Sequence, residues 1–405
     1  MINKSILSMK IYKLLSLVSV MAVAFGAKAD EPRPFDQVIV LDGEMRQAAD
    51  AGDYKQALQF SEELMAELAA LPDSLVAQND ELWANQYYDL ACYQSRCGQI
   101  NPALLSLYNA VSKGWNQYDH LMVDHDLDNL RSLPRFKAIA QKVRERDFGY
   151  IMRDCQPYTT EEPVGMPERV FANSSDPNLK ELRRMLNLDS VAGDGDEISR
   201  IKNIAMFVHE LVHHDGMNGI PCSRNSLAMV EACACGKNTL NCRGMAILLN
   251  ECLLSMDIPS MYVTCLPKIM LSDCHVINAV WSSQLGRWLW IDPSFNAWIT
   301  DENGELLGIR EVRQRICQGL PVVLNPEASH YGDEITKEWY LDYYMTKNLY
   351  AIEVNVYNVF GTEDYNVRTG EPPVFILLLS PGYIPSYAYK DKVTTNDQYF
   401  WAAPK

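Results

Sequence analysis

Leu240-Asn241-Cys242-Arg243-Gly244 leads directly into Met245, Ala246, Leu248, Leu249, Cys252, Leu253 and Met256. These apolar residues recur at helical spacing, so the stretch predicts an amphipathic helix with a cysteine at its start. A thiol there faces backbone N–H groups without intrahelical partners and the positive end of the helix dipole. Both favour the thiolate, the reactive form of cysteine. Two strand-like runs follow. His275 opens His275-Val276-Ile277-Asn278-Ala279-Val280-Trp281, and Asp292 closes Trp288-Leu289-Trp290-Ile291-Asp292-Pro293. The connection Ser282-Ser283-Gln284-Leu285-Gly286-Arg287 has turn composition, so the runs are expected to form an antiparallel hairpin. Cross-strand neighbours on one face lie about 5 Å apart, close enough for an imidazole to meet both a carboxylate and a thiol.

A thiol, an imidazole and a carboxylate are the parts of a nucleophile, its base and the group that orients the base. A lone buried cysteine is usually inert packing. The information lies in the ordered set of a helix start, a strand start and a strand end. That set resembles the transglutaminase-like cysteine hydrolase superfamily, whose pattern is a Cys opening a helix that ends in Gly-Ile-Pro-Ala-Arg, a His on a strand, and Asp-Pro after a Trp-rich strand. Here the helix is followed by Asp257-Ile258-Pro259-Ser260-Met261, which keeps Ile-Pro but not the Gly or Ala-Arg. The resemblance spans roughly residues 195 to 330. It implies an α+β fold of papain-like type, with Cys242 as nucleophile, His275 as general base and Asp292 as orienter. It also implies an amide hydrolase (peptidase or amidase) or an acyltransferase acting through an acyl-enzyme on a peptide or protein. Members outside animals are more often hydrolytic than cross-linking. The backbone N–H of Cys242 would contribute to an oxyanion hole, and Asn225 and Asn241 are the candidates for a second donor. No cofactor is expected.

One motif competes. His209-Glu210-Leu211-Val212-His213 is a formal HExxH, which on a helix can place two histidines on zinc with the glutamate as base. The surrounding helix, expected over Asp196 to Val212, buries Ile198, Ile201, Ile204, Ala205, Val208 and Val212 on one face, and no third ligand follows at a usual spacing. The zinc metallohydrolase is therefore the lesser reading, and these histidines are expected to flank the approach to Cys242. Cys222, Cys233 and Cys235, with His213 or His214, match no standard zinc spacing either. A disulfide or buried free thiols is the expectation there.

The first 29 residues read as an export signal. Lys4, Lys10 and Lys13 precede the apolar core Leu14 to Phe25, and Ala27-Lys28-Ala29 fits the cleavage rule, with Asp30 as the mature start. About 12 apolar residues are too few to span a bilayer. The expected location is periplasmic or extracellular, without a membrane anchor. Of the chain's 405 residues, 52 are acidic and 36 are Lys or Arg, a net charge of −16. Loss of the signal's four lysines makes that about −20, which disfavours nucleic acid as a partner. The odd count of 11 cysteines leaves at least one thiol unpaired.

Residues 38 to 146 look helical throughout. Gly52-Asp53-Tyr54, Ala57 and Phe60 recur in kind as Gly98, Ile100, Ala103 and Leu107, with Leu90, Ala91 and Tyr93 ahead of the second glycine and Ala110 behind. This resembles tetratricopeptide repeats, although the interval between the glycines exceeds the usual period of about 34. The resemblance implies a short all-α domain that either binds a protein partner or caps the fold. A non-catalytic scaffold using these repeats is the alternative to the enzyme. The expected organisation is a signal at 1–29, a helical domain at 30–150, a linker at 151–194 and an α+β domain at 195–405 with a β-rich tail.

Overall fold

The computed structural model describes residues 35–72, 79–161, 164–236, 239–268, 274–364, 374–384 and 392–405. The export signal expected at 1–29 lies outside them. The chain divides into two compact units, Met1–Ile151 and Met152–Lys405.

The first unit is all helix among its described residues. Its helices include α1 (Asp36–Asp50), α2 (Tyr54–Ala70), α3 (Asp80–Arg96), α4 (Ile100–Ser112) and α5 (Pro134–Arg144). Two of its helix-to-helix turns are alike. α1 turns into α2 at Gly52, φ +79°, and α3 into α4 at Gly98, φ +78°. Both need the left-handed backbone that glycine adopts freely. The closing hydrogen bonds match: Asp53 N donates to Ala48 O at 2.9 Å, and Gln99 N to Gln94 O at 2.8 Å. Ala57 and Ala103, at equivalent places after the turns, are fully buried.

The second unit is α+β. It comprises α6 (Pro177–Met185), α7 (Leu188–Ala192), α8 (Glu197–Leu211), the short strand β1 (His213–His214), α9 (Ser226–Ala234), the short strand β2 (Thr239–Leu240) and α10 (Cys242–Ser255). The strands β3 (Ser260–Leu266), β4 (His275–Ser282), β5 (Arg287–Asp292), β6 (Ala297–Thr300), β7 (Val323–Leu324), β8 (Ser329–His330) and β9 (Asp333–Glu334) follow. Then come β10 (Ala351–Asn355), β11 (Phe375–Leu378) and β12 (Lys392–Thr394). Eight strands form one sheet in the order β12-β11-β10-β3-β4-β5-β6-β7. Every pairing in it is antiparallel except β11 with β12. The tail strands expected from Ile352-Val354-Val356 and from Val374 to Leu379 are β10 and β11.

α10 lies against this sheet and is buried almost all round; Met245, Leu248, Leu249, Cys252 and Leu253 are solvent-free. α8 packs beside it through Ile201, Ile204, Ala205 and Val208. The stretch expected as a linker does not link. Leu182, Leu188 and Ala192 belong to the same apolar cluster as α10, so residues 152–194 are part of the second unit. Pro177, one of the prolines that suggest a linker, opens α6 behind the Asp176 cap.

The departures from the Gly-Ile-Pro-Ala-Arg pattern are absorbed locally. Asp257 takes the left-handed conformation, φ +59°, that glycine would take after α10. Ile258 N closes the helix on Leu253 O, and the Asp257 carboxylate accepts from Ser174 N at 2.9 Å.

Candidate active site

Cys242 is the first residue of α10. Asn241 caps the helix, its side-chain oxygen accepting from Gly244 N at 3.0 Å. A methyl group on Gly244 would come within 3.1 Å of Leu240 Cβ and 3.2 Å of an Ile220 carbon, so a side chain here would push the first turn and β2 slightly apart. Arg243 anchors the turn from the other side. It donates to Glu363 at 2.6 Å and to Thr264 at 3.1 Å, and Glu363 also accepts from Tyr262 and Arg224.

β4 and β5 form the expected hairpin, with Asn278 opposite Ile291 and Ser282 opposite Arg287. Its turn is held by Glu197, whose carboxylate accepts from Ser282 Oγ and from Ser283 and Gln284 N–H. That register places His275 diagonally across from Asp292 on one face. His275 Nε2 donates to Asp292 Oδ2 at 2.7 Å, and both side chains are fully buried. Asp292 accepts two further hydrogen bonds, from Tyr340 OH at 2.6 Å and from Ser294 N at 2.9 Å. Tyr340 in turn accepts from Trp290 Nε1 at 3.2 Å. The rings of Phe295 and Tyr344 lie 5.4 Å and 5.2 Å from the imidazole.

The remaining imidazole nitrogen, His275 Nδ1, is buried and has no aligned hydrogen bond. The Cys242 thiol interacts with this imidazole. Burial pushes that thiol upward, but hydrogen bonding and charge from His214 and His275 outweigh it and bring its pKa to about 6. Burial pushes His275 downward; the Asp292 charge and hydrogen bond, with Cys242, overcome this and raise it to about 10. Burial likewise pushes Asp292 up, and His275, Tyr340 and Ser294 hold it below the usual carboxylate range. The arrangement favours a thiolate beside an imidazolium. The two values belong to the coupled pair rather than to either residue alone.

The sequence's lesser candidates have other settings. The HExxH does not lie on one helical face: α8 stops at Leu211, and His213 is an exposed residue of β1. His209 donates through Nδ1 to Pro293 O at 2.9 Å and has Ser329 Oγ 3.4 Å from Nε2. Glu210 is exposed. Asn225 caps α9, and its amide nitrogen donates to Asp364 at 2.8 Å, so that donor is committed elsewhere. The oxygen of Asn241 is committed to the α10 cap. Cys233 and Cys235 are free thiols. Among the described residues, one trio brings possible ligand atoms together, Cys92, Asp124 and Asp126 in the first unit. Asp124 there already accepts from Tyr88 OH and from Asp126 N.

Other residues at the site come from parts of the chain that sequence patterns did not single out. Tyr340 and Tyr344 lie on a π-helical segment, Glu338–Met345. Its aromatic density (Trp339, Tyr340, Tyr343, Tyr344) is the signal that could have drawn attention to it. Phe295 follows the Asp-Pro pair. His330 lies in β8, with Nε2 3.1 Å from His214 Nδ1.

No family model matches the chain, and no curated protein matches it. A solved structure of a candidate cysteine protease from Cytophaga hutchinsonii is similar at 15% identity and a TM-score of 0.23, over 44% of this chain and 59% of that one. A likeness that slight carries no argument about this chain.

Proposed function

We propose that the protein is a cysteine-dependent amide hydrolase or acyltransferase of transglutaminase-like type. The observation that carries the reading is one arrangement: a thiol at a helix N-terminus, beside an imidazole whose far nitrogen is fixed 2.7 Å from a fully buried carboxylate. Structural cysteines lack such a partner and are pushed up by burial, as Cys252 and Cys265 are.

The chemistry follows from the pair. Between pH about 6 and about 10 the thiol proton resides on His275. The Cys242 thiolate adds to the carbonyl carbon, and the carbonyl electron pair moves to oxygen. As the C–N bond breaks, His275 delivers its Nδ1 proton to the departing nitrogen, leaving a thioester on Cys242 and neutral His275. Water, or an amine in the transferase case, then attacks the thioester, with His275 as base. Asp292 keeps the Nε2 proton in place and stabilises the imidazolium without accepting a proton.

Active-site labelling tests the reading. Iodoacetamide at pH 7 should alkylate Cys242 at least tenfold faster than the other thiols. A peptide library should then define the scissile bond. Cys242→Ala should abolish turnover while shifting the thermal midpoint little. Full activity in Cys242→Ala would sink the assignment.

A further inference from the structure

The thiol has a second imidazole. β1 pairs in parallel with β2, placing His214 in register with Leu240, two residues before Cys242. The pairing is extended by Asp215 N donating to Leu240 O at 2.8 Å. His214 is the residue that this register delivers to the start of α10. Its Nδ1 lies 3.1 Å from His330 Nε2, and its ring packs against Phe295 at 5.8 Å. Its other nitrogen, Nε2, is buried without an aligned hydrogen bond and faces the Cys242 side of the site. The rings of His214 and His275 are 6.5 Å apart and nearly perpendicular, so the two imidazoles approach the sulfur separately.

A base is already supplied by His275, so the thiol does not need His214 for proton transfer; at rest His214 interacts with the thiol itself. The acyl-transfer reading lacks one group, a second donor for the developing oxyanion. Asn225 spends its amide N–H on Asp364, and Asn241 is held by its oxygen in the α10 cap. We propose, building on the acyl-transfer reading, that His214 is that donor. With His330 donating its Nε2–H, His214 Nδ1 is the acceptor and the ring's own proton sits on Nε2. When Cys242 adds to the carbonyl, the electron pair displaced onto oxygen is held between the Cys242 backbone N–H and His214 Nε2–H. No proton is transferred at His214. The oxygen's electron pair re-forms the C=O double bond as the leaving group departs. His330 is a positioning residue that fixes which His214 nitrogen carries the proton.

Two probes separate this role from simple thiolate stabilisation. p-Nitrophenyl acetate acylates a thiolate through a tetrahedral oxyanion, whereas iodoacetamide alkylates it by displacement at a saturated carbon and forms no oxyanion. Both rates are measured under single-turnover conditions at the alkaline plateau, where loss of a neighbouring imidazole no longer changes the thiolate fraction. His214→Ala should slow acylation by about 10²–10³-fold and leave alkylation within about threefold. His214→Gln, which keeps an N–H donor, should recover at least tenfold of the lost acylation rate. Equal losses with both probes would reduce His214 to a thiolate neighbour, and no loss with either would remove it from the chemistry. Both results overturn the proposal. Absence of Cys242 labelling in the parent protein would instead sink the acyl-transfer reading itself. A folded His214→Ala protein is verified by unchanged circular dichroism; if it does not fold, the His214→Gln and His214→Asn pair carries the same comparison, since the shorter amide retracts the donor.

Discussion

Cys242 lies between two histidines that are held in different ways. His275 belongs to the central sheet, is fully buried, and is backed by a carboxylate that itself collects hydrogen bonds from Tyr340 and Ser294. His214 lies on a two-stranded ribbon and is backed by another histidine. A carboxylate partner makes an imidazole a strong base and keeps it cationic. A histidine partner offers no charge to do so and instead fixes a tautomer. One thiol thus meets a proton acceptor on one side and a hydrogen-bond donor on the other. The chemistry of each arm is set by the residue behind the histidine.

The largest effect should come from removing the charge behind His275. Asp292→Asn keeps the shape but withdraws the largest influence holding the imidazole near pKa 10. Acylation of Cys242 should fall by about 10²–10⁴-fold, as expected when the wrong tautomer is favoured. The sign of the pH effect is fixed as well. With less stabilisation of the imidazolium, the upper limb of the rate profile should move below 10. The lower limb, near 6 in the parent, should move up because the thiolate loses its cationic neighbour. The active window narrows from both sides. An Asp292→Asn protein that acylates like the parent, with an unchanged profile, would erase the difference between the two arms.

A smaller change tests how much the carboxylate depends on its own support. Tyr340→Phe deletes a 2.6 Å hydrogen bond to Asp292 and leaves the apolar ring contacts. Hydrogen bonds to charged groups contribute about 1.5–3 kcal/mol. The Asp292 carboxyl should rise, His275 should become less basic, and acylation should drop roughly tenfold. His214-dependent behaviour, read as the ratio of ester acylation to iodoacetamide alkylation, should stay nearly constant. A change in that ratio would show that the two arms are not independent.

The carboxylate arm was legible in the sequence because each member has a local signature. Cys242 opens an apolar helix, His275 opens one strand, and Asp292 closes the next across a turn-like connection. The histidine arm was half-legible. His209 and His213 were expected to flank the approach to Cys242, but a helical continuation through the HExxH hid the break after Leu211 that turns the next histidine, His214, inward. His330, Tyr340 and Tyr344 were not legible at all. They come from a short strand and a π-helical segment 88 to 102 residues beyond Cys242 in sequence, and only tertiary packing brings them to the site. Backbone geometry likewise decided Asp257, whose left-handed conformation replaces a glycine that the motif would demand. In the helical unit the glycines at 52 and 98 were legible because each turn is closed locally.

The smallest expected effect concerns the residue that ties the arms together. His209 reaches Pro293 O, directly after Asp292, and Ser329 Oγ, directly before His330. It therefore braces the carboxylate end of one arm and the histidine end of the other from a single position on α8. One of its contacts is a sound 2.9 Å hydrogen bond and the other, at 3.4 Å, is weak, so its loss should cost about 1–2 kcal/mol. His209→Ala should lower the thermal midpoint by a few degrees and slow both acylation and alkylation by a similar, several-fold factor, because both arms loosen together. A preferential loss of ester acylation would assign the brace to the His214 side alone. A zinc ion lost together with activity in the same variant would revive the HExxH reading, since a brace and a metal ligand make opposite demands on the same two ring nitrogens.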